Sequence, residues 1–138
     1  MKEQVTSIEQ SKLLIELGVP AEMASMVWDT ISPASHPILR VWDTSTDTKR
    51  WQVDNVGHVP AFTVADLIAI LPINCGYLQI HIEEITNSHK FIYYKGRKYI
   101  SDEDYTNLKT VLFVENSLVE SCVKAIEWVV LNNYKLNI

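Results

Sequence analysis

The chain has 138 residues, 17 of them acidic and 12 basic, for a formal net charge of -5; 47% are hydrophobic and 21% charged. A chain of this length makes one domain and buries roughly two-thirds of its unfolded surface, so it needs no disulfide or metal to fold. The acidic balance opposes broad contact with phosphate, which nucleic-acid binders grip with cations, and apolar runs such as Ala69 to Ile73 are too short to span a bilayer.

The first twelve residues have no apolar core behind their charges and are not expected to be a signal peptide. Ser7 and Gln10 form a capping box for a first helix with Ile8, Leu13, Leu14 and Leu17 along one side. Gly18 supplies its left-handed end and Pro20 restarts the chain. Pro20 to Trp28 reads as a second short helix that buries Met23, Met26 and Val27. Ile38 to Trp42 reads as a strand and Arg50 to Val53 as its antiparallel return, with Gly57 to Phe62 as a connector.

Thr63 and Asp66 open a third helix with Leu67, Ile70 and Leu71 on its face, stopped by Pro72. Tyr77 to Ile85 alternates as a half-buried strand does. Lys90 to Tyr94 is a further strand, and Lys95 to Lys98 a tight turn into Tyr99 to Ser101. Thr110 to Val114 adds one more. Ser117 and Glu120 cap a last helix lined by Leu118, Cys122, Ala125, Ile126 and Val129, running to about Asn132. Short links between strands favour antiparallel pairing. The fold class read from this order is α+β: a mainly antiparallel sheet with helices packed on one face, as a single domain over residues 1–138.

Val41 to Trp51 looks most like chemistry, because Asp43, Ser45 and Asp47 alternate as ligands of a hard cation do. A calcium loop of the EF-hand kind also needs glycine where Thr48 stands, a glutamate where Asp54 stands, and a helix on each side. An integrin-type metal site differs at the third ligand, and a haloacid-dehalogenase-type phosphotransferase needs a second Asp where Ser45 stands. The stretch therefore reads as a hairpin loop, with Trp42 and Trp51 flanking it and pairing across the strands.

The histidines at 36, 58, 81 and 89 have no zinc-like spacing and read as solvated or sheet-surface residues. Cys75 and Cys122 read as free thiols in a reducing cytosol, Cys122 facing the core, which makes a cytoplasmic protein the expectation. Cys75, before Gly76 at a turn, is the one arguable nucleophile. Adjacent Glu83 and Glu84 point to opposite faces of a strand and form no catalytic pair. Lys90, Lys95, Arg97 and Lys98, interleaved with Tyr93, Tyr94 and Tyr99, could stack bases and hold phosphates, or could be a lysine-guarded sheet edge. The guarded edge fits the acidic whole better. No glycine-rich phosphate loop is present in the sequence.

Three stretches, Ser7 to Trp28, Pro60 to Pro72 and Leu118 to Tyr134, about 50 of the 138 residues, resemble a family of small uncharacterised proteins from prophages and other mobile elements of Bacteroides-type gut bacteria. The matching features are Glu9-Gln10-Ser11-Lys12, Leu17-Gly18-Val19-Pro20, Phe62-Thr63 ahead of Leu71-Pro72, and the closing helix from Cys122 to Val129. Ala24-Ser25-Met26 stands where the family has an Ala-Asp-Met-like stretch, and Phe62-Thr63 where it has Trp-Ser. The resemblance implies a bacterial or phage cytoplasmic origin and carries no catalytic residue over. The matched positions are caps and core faces.

The reading is a non-enzymatic accessory or interaction protein of a mobile element, with no cofactor or metal. A protein partner is expected, to be met by Trp42, Trp51, Tyr93, Tyr94, Lys95, Arg97, Lys98 and Tyr99. A homo-oligomer is compatible and a membrane is not expected. The runner-up is a nucleic-acid-associated accessory protein using Lys90 to Tyr99, which the net charge disfavours. A small hydrolase is third and requires acidic and histidine side chains meeting in one pocket.

Overall fold

Local hydrogen bonds at segment ends decide where the chain becomes regular, and the computed structural model describes residues 4–30, 36–41, 58–85 and 89–138. Helix α1 (Ile8–Glu16) opens on Ser7, whose Oγ accepts the Gln10 N–H at 3.1 Å while the Gln10 side chain accepts the Ser7 N–H at 2.9 Å. It ends where Gly18 takes φ 101°. The Gly18 and Val19 N–H groups return to the Ile15 and Leu14 carbonyls, which closes a Schellman motif. Helix α2 (Val64–Ile70) repeats the box with Thr63 and Asp66. Helix α3 (Leu118–Leu131) starts on Ser117, which accepts the Glu120 N–H at 3.2 Å. It ends on left-handed Asn133 with the same Schellman bonds, Asn133 to Val130 and Tyr134 to Val129.

The class is α+β with antiparallel sheets, as the sequence order implies, and its contacts gather into two compact units, Met1–Ile68 with Ile138, and Ala69–Asn137. Among the described residues the strands form three sheets rather than one. In the first unit the order is β2 (Ile38–Val41), β1 (Met26–Asp29), β3 (His58–Ala61), with β1 central and antiparallel to both neighbours. The helix expected over Pro20 to Trp28 is thus replaced by a single 3-10 turn, Ala21–Met23, before the chain becomes extended at Ala24. The spacing of Met23, Met26 and Val27 suits helix and strand alike over so short a run. Hydrogen bonding to strands on both sides decides the matter, and Val27 is fully buried.

The expected connector, Gly57 to Phe62, contains β3, all four residues of which are buried. Among the described residues β3 is an edge strand of this sheet, the place where a strand accommodates a proline such as Pro60. The Arg50 to Val53 return and the Asp43-Ser45-Asp47 loop lie outside the described residues; β2 pairs with β1.

In the second unit β4 (Asn74–Cys75), β5 (Leu78–Ile85), β6 (His89–Gly96) and β9 (Lys109–Phe113) form one antiparallel sheet in that order. Helix α3 packs on one face, where Trp128 meets Tyr94 at 5.7 Å and Phe113 at 5.9 Å between ring centroids. Cys122, Ile126 and Val129 of the helix are fully buried, as is Ile92 of the sheet. The turn expected at Lys95 to Lys98 does not fold Tyr99 to Ser101 back onto β6, because β9 holds that side. Residues 97–108 instead leave the sheet, and β7 (Tyr99–Ser101) pairs with β8 (Asp104–Tyr105) as a separate hairpin.

Candidate functional site

The cross-strand register sorts the second unit's side chains. Tyr94, Ile92 and Phe113 point to the helix; Tyr93, Lys95 and Leu112 point the other way, with His81 and Glu83 of β5. On that second face His81 lies flat on Tyr93, 5.0 Å between centroids and 10° from parallel. Phe91 stacks on the same ring at 5.7 Å, and the Lys95 Nζ is 5.9 Å from its centroid. The Tyr93 hydroxyl donates to Glu83 Oε1 at 2.8 Å, and that bond to a carboxylate is the main cause raising its pKa. His81 and Phe91 thereby occupy the ring, which is only 8% exposed. A base-stacking platform needs an open ring face, and Tyr93 does not offer one.

Tyr94, one residue on, is fully buried; its hydroxyl donates to the Pro72 carbonyl at 2.8 Å. Burial is the main cause raising its pKa. It is a core residue and leaves the set of surface contacts. Tyr99, Arg97 and Lys98 are exposed. Tyr99 packs edge-on against Tyr105 at 5.6 Å, and its hydroxyl donates to Asp102 at 3.0 Å. Tyr99, Ile100 and Tyr105 are each more than half exposed, and Leu108 is close to that. Residues 97–108 carry two basic side chains, Arg97 and Lys98, and three acidic ones, Asp102, Glu103 and Asp104. Trp42 and Trp51 lie outside the described residues.

The first unit contains a polar cluster that the sequence did not announce. The register puts Asp29, Arg40 and His58 on one sheet face. Arg40 Nη2 is 2.8 Å from His58 Nε2, and Arg40 Nε is 3.5 Å from Asp29 Oδ2. A guanidinium only donates, so Nε2 is the acceptor of this contact. The lone pair a general base would use is therefore engaged. His58 is fully buried, and not solvated or at the sheet surface as expected, whereas His81 is half-buried on its sheet face against Tyr93.

A cavity of about 350 Å³ in this unit is lined by Ser7, Ile8, Glu9, Trp28, His36 and Pro37. Its one hydroxyl, Ser7, already caps α1. Cys75 is buried, and burial raises its thiol pKa against a lowering contact with Tyr94. That environment is the opposite of what activates a thiolate. Among the described residues no three His, Cys, Asp or Glu side chains are grouped to hold a metal ion, and no helix is long and apolar enough to cross a membrane.

Comparison with protein-family models, curated proteins and solved structures finds no match. The α+β fold and the local geometry of each unit therefore stand as the basis for assigning a role.

Proposed function

We propose that the protein is a cytoplasmic, non-enzymatic accessory protein of a bacterial mobile element or prophage that works by binding another protein. The mobile-element origin is supported by the resemblance of the three stretches at Ser7, Pro60 and Leu118. The binding role is supported by the β7–β8 hairpin. Tyr99, Ile100 and Tyr105 project from it more than half exposed, on an excursion that carries charges of both signs. Exposed tyrosines with apolar neighbours match the composition of protein interfaces.

The nucleic-acid reading has Lys95, Arg97 and Lys98 in its favour. The acidic trio at 102–104 and the occupied ring of Tyr93 weigh against it.

The test is affinity capture of the tagged protein from its host, with nuclease, at low and moderate salt, beside a Tyr99→Ser/Ile100→Ser/Tyr105→Ser variant. A stoichiometric protein that survives nuclease and is lost with the variant is the expected result. Nucleic acid captured at low salt and released at moderate salt would move the assignment to the basic segment.

A further inference from the structure

We propose that the protein self-associates through strand β9, which pairs antiparallel with β9 of a second copy about a two-fold axis at Leu112. The inference is independent of the partner assigned to the β7–β8 hairpin.

Among the described residues β9 is the outer strand of its sheet, bonded to β6 on one side. An outer strand presents a row of backbone donors and acceptors on its other side, and proteins usually guard such an edge with a central charge, a proline or a bulge. β9 has none of these. Between Lys109 and Glu115 every residue is Thr, Val, Leu or Phe. Leu112 is 57% exposed and Val114 48% exposed.

The order of residues names the occupant. Lys109 precedes Leu112 by three positions and Glu115 follows it by three. If Leu112 meets Leu112 of a second copy, Lys109 faces Glu115 at one end and Glu115 faces Lys109 at the other. Thr110 then faces Val114, and Val111 faces Phe113. Opposite charges directly across a strand pair are favourable and like charges unfavourable, and here both ends match at once. Residues 109 and 115 have the same parity and so share a sheet face, as a two-fold pairing requires. Neither side chain is taken up in an ion pair among the described residues. β9 ends at Phe113, so the pairing would extend it by two residues, through Val114 to Glu115. The Glu115 N–H is bonded to Ser121 Oγ, and its carboxylate is in no ion pair among the described residues. A two-fold contact of this kind closes on itself and stops at two chains. The result is one sheet of eight strands, with β9 and its copy at the centre.

The test is sedimentation velocity of the whole chain over a wide concentration range at low ionic strength. The expected result is a concentration-dependent species of twice 15.8 kDa. Lys109→Glu and Glu115→Lys each place like charges at both ends and should weaken the dimer about tenfold or more. The double exchange restores the match and the dimer, and a mixture of the two single variants should form a mixed dimer. Leu112→Lys sets two ammonium groups at the axis and should leave monomer only. It alters an exposed side chain, so its melting temperature should match that of the parent at concentrations where both are monomeric. A single 15.8 kDa species throughout would overturn the proposal. So would a dimer that survives Leu112→Lys, or single variants that stay monomeric when mixed.

Discussion

The buried thiols make the residue-scale chemistry testable. Burial pushes the Cys122 thiol up to about 12 and raises Cys75 as well. The folded chain holds protons at these sulfurs that the unfolded chain releases from about pH 8.5 upward. The stability they contribute is therefore complete below that pH and is lost as the pH climbs towards 12, with Tyr94 acting in the same direction above about pH 10. The melting temperature should fall across this window, and Cys122→Ala should flatten the fall while lowering the plateau. An unchanged slope in the variant would assign the fall to other groups. Gly96 is a steric case. A Cβ there would run into the Tyr77 carbonyl oxygen and come within 3.2 Å of Leu78 Cα, and both obstacles are backbone. Gly96→Ala should cost about 1–3 kcal/mol in urea denaturation. At Gly18 the surrounding space is open and the left-handed φ is the obstacle, so Gly18→Ala should cost about 1 kcal/mol.

At the scale of elements, Asp66 joins local and distant structure. Its Oδ2 accepts the Thr63 N–H at 2.9 Å and the Ser25 N–H at 2.8 Å, and its Oδ1 accepts the Ser25 hydroxyl at 2.5 Å. Replacing it removes the α2 cap and the anchor at the entry to β1 together. Asp66→Ala should therefore cost about 2 kcal/mol or more, against about 1 kcal/mol for Ser117→Ala, which removes a cap alone. Equal losses in chemical denaturation would show that the Ser25 bonds contribute nothing. The caps at Ser7, Thr63 and Ser117 were legible in the sequence because their partners lie three residues away. β1 and β3 were not, because their partners lie on other strands, and Pro60 and the short apolar run at Met26 argue against strands when read locally. The Arg40–His58 contact was illegible for the same reason, since it exists only once β1 separates β2 from β3. Tyr93 and Tyr94 show the limit within a strand. Alternation places them on opposite faces, but which face α3 covers is settled only by the helix itself.

Over the whole molecule, the net charge of -5 keeps the surface anionic, and the exposed tyrosines distinguish the β7–β8 hairpin. A dimer through β9 would carry two such hairpins, so a partner that is itself paired would be held by avidity and not by one contact. The division of the chain into two units has its own consequence. It falls after Ile68, inside helix α2. The buried side chains of that segment are split by it, Leu67 on one side, Ile70 and Leu71 on the other. A cut there would leave each piece with half a turn-rich helix and an incomplete apolar face. For a gene fusion or recombination event, a break at this point interrupts α2 and not a loop.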